Sequence, residues 1–270
     1  MIADMIKLKS SQPIGIFDSG IGGLTVAKTV IELLPHENVI YFGDTAHFPY
    51  GDKSSSAIQE YTKHVVDKLL DCGCKVILIA CNSASAAAYD FLKQHIDDRA
   101  YLINIIDPIL QSIAKTHAHK KIGLIGTRQT IGSNVYGQKL RALNSDIQLQ
   151  SLATPLLVSA IETMLHNKKV INEIVKEYLS NDILSDIDAL ILGCTHYPAI
   201  EKEIIEFYEG QTEIINPSHA AAAHIKQLLT EKNLLNPNGH GLEHVYVSDY
   251  MDSFANVIRL FFDKEIAIEY

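Results

Sequence analysis

The sequence predicts an α/β protein built as two similar doubly wound lobes with mainly parallel sheets. Two observations carry that expectation. Short apolar runs alternate with longer amphipathic segments along the 270 residues, which is the pattern of βα units feeding a parallel sheet. One local design also occurs twice. "VILIACNSASA" at 76–86 and "LILGCTHYPAI" at 190–200 each run from an apolar strand through a small residue into a cysteine and polar neighbours. The two cysteines, Cys81 and Cys194, stand about one small lobe apart in the chain.

The elements follow in order. Apolar runs give strands at 14–17, 39–42, 76–80, 101–105, 122–125, 147–152, 189–192, 213–215 and 245–247. A first helix opens at the glycines near 22 and stops at Pro35. A second starts in the serine cluster 54–56, ends near 71, and is followed by Gly73 as a C-cap before the next strand. Further helices are expected at 83–95, 108–117, 132–142, 156–165, 169–180, 198–209, 218–230 and 251–262. The segment "EKNLLNPNGHG", with Asn-Pro and Asn-Gly turn signals, reads as a surface loop. The expected division is 1–104 plus 216–270 for the first lobe and 105–215 for the second.

Composition is that of a folded chain, 47% hydrophobic and 20% charged. A net charge of −9 and the absence of a long basic run argue against a nucleic-acid partner and against a membrane-surface patch. No apolar run approaches the ~20 residues of a membrane span, and the first residues lack the apolar core of a signal peptide. A cytoplasmic protein is expected. Of the four cysteines, Cys72 and Cys74 lack a second ligand cluster, so they are read as structural and no metal is expected.

In parallel α/β sheets, ligands gather outside the carboxyl ends of strands. That edge carries both thiols. It also carries Asp18 and Ser19 of "FDSGIGG", and the loop "YFGDTAHFPYG" ending in Pro49, Tyr50 and Gly51. Thr127 and Thr130 of "GTRQTI" stand at a strand-to-helix turn, where helix capping alone also explains them. The glycine run is not a dinucleotide fingerprint, because Thr25 takes the third glycine's place. It fits either a tight turn or a set of backbone N–H groups for a carboxylate. The inventory suits a small zwitterion with an extra carboxylate. Two thiols on opposite walls of a cleft could invert a stereocentre, one removing a proton while the other delivers one. His196 and Asp18 are placed to relay protons to them.

The segments "FDSGIGGLTV", "YFGDTAHFPYG", "ACNSASA", "GTRQTI" and "LGCTHYP", with "NPSHAAA" and "YVSDYMDSFANVIRLFF" further on, together resemble the glutamate racemase family over nearly the whole chain. The resemblance implies a cofactor-independent enzyme interconverting L- and D-glutamate and supplying D-glutamate for peptidoglycan. It implies pseudo-twofold lobes with the active site in the cleft between them, and a homodimer. It implies Cys81 and Cys194 as the two acid/bases, assisted by Asp18, His196 and Glu162. Asp18, Ser19, Tyr50, Gly51, Asn82, Ser83, Thr195 and His196 would line the substrate site. Ser83 stands where the family usually has threonine and keeps the hydroxyl. Two other readings stay open here. One is a racemase for aspartate or a hydantoin, since one methylene is worth only about 1–3 kcal/mol of discrimination. The other is a non-catalytic binding protein on the same scaffold.

Overall fold

A computed structural model describes residues 8–250 and 268–270. Two parallel sheets organise them. The first has six strands in the order β10-β9-β2-β1-β3-β4: β1 (Ile14–Asp18), β2 (Asn38–Gly43), β3 (Val76–Ile79), β4 (Tyr101–Asn104), β9 (Gly241–Val247) and β10 (Ile268–Glu269). The second has four strands in the order β6-β5-β7-β8: β5 (Lys121–Gly126), β6 (Gln148–Ala153), β7 (Ala189–Gly193) and β8 (Glu213–Ile215). The second sheet thus repeats the 2-1-3-4 order of the first, with β5 in the place of β1 and β7 in the place of β3. All strand pairings in both are parallel.

The sequence dictates this layering. β1, β3 and β7 are apolar on both faces and wholly buried, as strands covered by helices on both sides must be. Alternate side chains feed different cores. Ile14 and Ile16 of β1, with Leu124 and Ile191, join the largest core, which lies between the sheets and takes in α1 (Leu24–Leu33), α4 (Ile106–Thr116), α6 (Val135–Leu143) and α10 (Pro217–Glu231). Phe17, Ile77 and Ile79 face a second core under α2 (Ser55–Asp71) and α3 (Asn82–Ile96). Leu190 and Leu192 face a third, under α7 (Pro155–Met164) and α8 (Lys168–Leu179).

Helix ends follow local chemistry. Ser54 accepts a hydrogen bond from Ala57 N at the start of α2, and such a cap is worth about 1 kcal/mol. Gly73, at φ +74°, turns the chain out of α2, and the Gly73 and Cys74 N–H groups bond back to Leu70 O and Leu69 O. Cys74 is buried against Gly15 and Leu69. Pro155 and Pro217 occupy first-turn positions of α7 and α10.

The helix expected at 132–142 is α6, which starts three residues later, and a short helix not expected from sequence precedes it. Thr127 caps a short α5 (Arg128–Gly132), and Asn134, at φ +53°, breaks it from α6. The predicted 198–209 helix opens as a 3-10 turn, Tyr197–Ile200, before α9 (Glu201–Phe207). β9 begins four residues earlier than expected, at Gly241. The 231–241 loop is not wholly superficial. Leu234 and Asn236 are buried beside an ion pair between Lys75 and Glu37, which are 0% and 1% exposed. Lys75 Nζ donates to Glu37 Oε2 at 2.6 Å and to the carbonyls of Ser10 and Leu234, and Glu37 Oε1 accepts from Asn236 N. The helix expected at 251–262, and most of the motif around it, lie outside the described residues.

Candidate active site

Cys81 follows β3 and Cys194 follows β7, the equivalent third strands of the repeated order. Each strand end releases its cysteine at the carboxyl edge of its sheet. Both sulfurs line one cavity, with room for only about 20 Å³ of water-sized contents. Cys81 is 6% and Cys194 8% exposed, so both thiols are largely shielded from solvent.

The first sheet contributes Ser19 after β1, Asn82 and Ser83 at the start of α3, and the loop after β2 with Pro49, Tyr50 and Gly51. The second contributes Thr127 after β5, with Thr195 and His196 after β7. Phe48, Val158 and Gly193 complete the wall and were not anticipated from sequence. Phe48 tilts against the His196 ring at 5.7 Å between centroids.

The two thiols have different neighbours. Cys194 Sγ is 3.8 Å from His196 Nδ1, whose Nε2 is 2.5 Å from Glu162 Oε1. Burial pulls the His196 pKa down, but hydrogen bonding and charge from Cys194 and Glu162 outweigh it and raise it to about 10. The result is an imidazolium poised between a sulfur and a carboxylate. Cys81 Sγ instead donates to Ser19 Oγ at 3.7 Å. Burial, followed by the Asp18 charge, pushes the Cys81 thiol well above its ordinary pKa, which favours the protonated form.

Asp18 lies beneath the cavity rather than on its wall, and is fully buried. Its Oδ2 accepts from Gly20 N and Gly23 N at 3.2 and 3.1 Å, and its Oδ1 accepts from Thr195 Oγ1 at 3.2 Å. The glycine turn therefore directs two of its N–H groups at the chain's own carboxylate. Close approach explains the glycines there. A Cβ at Gly23 would stand 2.5 Å from Asp18 Cβ, and one at Gly22 would stand 2.6 Å from His196 Nδ1.

Thr130 is also behind the wall. Its hydroxyl meets Ser83 Oγ at 3.3 Å and Thr127 Oγ1 at 3.1 Å, while Ser83 Oγ and Thr127 Oγ1 are 2.8 Å apart. Thr127 does cap α5, through Thr130 N, as a structural reading expects. Glu162 touches the cavity only through His196. Asp44 was overlooked in the sequence. It is 3% exposed, and its carboxylate accepts from Tyr50 Oη at 2.5 Å and from Ser248 Oγ at 2.7 Å, which holds Tyr50 against the cavity. Among the described residues, no cluster of three or more His, Cys, Asp or Glu is arranged to hold a metal ion.

This arrangement can present two acid/base sulfurs and several hydroxyl and amide groups to a small polar ligand. Comparison with known proteins is consistent with that chemistry. The sequence model of the Asp/Glu/hydantoin racemase family matches residues 22–225. A glutamate racemase of Chlorobaculum parvum is 40% identical over 265 residues, 96% of each chain. Among solved structures, glutamate racemase isoform RacE1 of Bacillus anthracis superposes with a TM-score of 0.91 at 32% identity, covering 96% of this chain and 97% of that one. The glutamate racemase of Francisella tularensis, in complex with D-glutamate, gives 0.88 at 36% identity with 97% of both chains covered.

Proposed function

The chain belongs to the Asp/Glu/hydantoin racemase family, and from that premise we propose its reaction in detail. It is a glutamate racemase, an amino-acid isomerase that interconverts L- and D-glutamate and supplies D-glutamate for peptidoglycan. The observation that carries the two-thiol route is that Cys81 and Cys194, from equivalent strands of the repeated sheet, line the same cavity.

In this route a thiolate on one wall takes the α-proton of bound glutamate and becomes a thiol. The electron pair left on the α-carbon delocalises into the adjacent carboxyl group. The thiol on the other wall then delivers its proton to the opposite face of that carbon and becomes a thiolate. The substrate leaves inverted, and the two sulfurs have exchanged protonation states. Resetting them needs proton relays. His196, backed by Glu162, serves Cys194. Ser19 and the charge of Asp18 serve Cys81. Asn82, Ser83, Thr127, Thr195, Tyr50 and Gly51 hold the substrate, with Ser19 and Pro49 beside them. Asp18 and Thr130 act from behind the wall.

The same reading makes the enzyme a cytoplasmic homodimer that needs no cofactor. It divides the chain into lobes of 1–104 plus 216–270 and 105–215, a division supported by which strands enter which sheet. Among the described residues, no helix is long and apolar enough to cross a membrane. Sedimentation at micromolar concentration reads the dimer directly.

The test of the reaction is isotope exchange. Purified enzyme in D₂O, with no cofactor added, should label the α-carbon of both glutamate enantiomers and leave aspartate unlabelled. Cys81→Ala and Cys194→Ala should each abolish racemisation. Full activity in either variant would overturn the two-thiol route, and labelling of aspartate alone would reassign the substrate.

A further inference from the structure

A side-chain amide can turn either its oxygen or its NH₂ toward a ligand, so a substrate-facing asparagine needs something to set its direction. Asn82 begins α3 immediately after Cys81 and lines the cavity. Its Oδ1 accepts a 2.6 Å hydrogen bond from Tyr136 Oη. Tyr136 comes from α6, which packs beside the second sheet, and is only 1% exposed. Burial, then the charge on Cys194, keeps this phenol protonated. Among the described residues Asn82 Oδ1 is the one acceptor for its O–H, so turning the amide over would leave a buried donor unpaired at a cost of about 1–3 kcal/mol. With the oxygen of Asn82 committed, its Nδ2 is the end left over. Among the described residues Nδ2 makes no hydrogen bond, and the one sealed side-chain polar atom without a partner is elsewhere, at Tyr208 Oη. The NH₂ group therefore opens on the cavity.

We propose that Tyr136 is a positioning residue for the racemase reaction: its hydroxyl locks the Asn82 amide so that the NH₂ group donates to a carboxylate of the substrate. The proposal rests on the glutamate reading above. It gives a buried tyrosine from the second half of the chain a role at a binding group of the first. Without the hydroxyl, the amide can turn and present its oxygen to an anion.

The test compares Tyr136→Phe with the unsubstituted enzyme, by racemisation kinetics and by calorimetric binding of glutamate. KM and Kd should rise about fivefold to thirtyfold for both enantiomers, the loss of one hydrogen bond that serves a charged ligand. kcat should fall less than about threefold. In an Asn82→Ala background the same change should alter KM less than about twofold, because the group Tyr136 orients is gone. Unchanged KM in the single variant, or equal effects in both backgrounds, would overturn the proposal. Asn82→Asp supplies a check that leaves Tyr136 in place. It keeps an acceptor for the phenol and removes the NH₂, so binding should weaken at least about tenfold, and wild-type binding would likewise overturn the proposal. Intact glutamate binding without α-hydrogen exchange in the unsubstituted enzyme would sink the reaction while leaving the Tyr136 comparison readable through Kd.

Discussion

Glu162→Gln is the most informative single change at the site. It keeps the shape of the side chain and removes its charge from His196 Nε2, 2.5 Å away. The His196 pKa of about 10 is held up against burial by Cys194 and Glu162. An opposite charge at this distance is worth about 1–3 pH units, so the glutamine variant should bring the imidazole down to between about 7 and 9. Each pH unit corresponds to about 1.4 kcal/mol. The pairing thus stabilises the folded chain by about 1–4 kcal/mol, toward the lower end because the Glu162 side chain is 28% exposed. The sign follows from a folded pKa raised above the unfolded value of 6.5. The stabilisation is complete below about pH 6.5 and is lost as pH climbs through about 10. The assay is ¹³C NMR titration of the His196 ring, alongside the pH profile of kcat/KM. The basic limb of that profile should move toward acid in the variant, and the stability gap between the proteins should close at high pH. A His196 titration unmoved by Glu162→Gln would refute the reasoning, as would a stability gap that widens with pH.

The remaining expectations concern packing and the buried ion pair. Gly22→Ala places a methyl 2.6 Å from His196 Cε1 and Nδ1. It should cut kcat/KM at least about tenfold by displacing the imidazole, since small misplacements are costly at reacting groups, and full activity would contradict the contact. Lys75→Met leaves Glu37 buried and uncompensated, and should cost about 3–5 kcal/mol in denaturant unfolding. Replacing both partners with apolar residues should recover much of that loss, and a single-variant cost below about 1 kcal/mol would refute the buried pairing. Gly51→Ala sets a methyl 2.8 Å from Thr127 Cβ. It should raise KM by narrowing the cavity, and an unchanged KM would mean that the wall yields freely there.

The interior strands were legible because burial on both faces leaves an unbroken apolar run, as in β3 and β7. β9 was shortened in the reading because its first residues, Gly-Leu-Glu-His, mix a flexible residue with exposed charge, which looks like loop until a neighbouring strand pairs with it. The break between α5 and α6 hangs on one left-handed asparagine, a conformation that local composition does not announce. At the site, the thiols were visible because the same design occurs twice. Phe48 and Val158 were invisible because an apolar wall residue has the same signature as a core residue. Asp44 was passed over inside a quoted loop, since only the fold brings Ser248 to its other oxygen. At the glycine turn the sequence left a tight turn and a set of N–H groups for a carboxylate both open, and two of those N–H groups meet the chain's own Asp18 carboxylate.

Thiols this well shielded in so narrow a cavity have a consequence for reagents as well as for substrate. An alkylating probe larger than water fits beside Cys81 or Cys194 only as the cavity widens, so at saturating probe the labelling rate becomes a clock for that widening. The half-buried Cys72 should react first, and Cys74, wedged against Gly15, only when the lobe itself comes undone. One molecule thus carries three internal timers, for surface, breathing and unfolding, each read from a different sulfur.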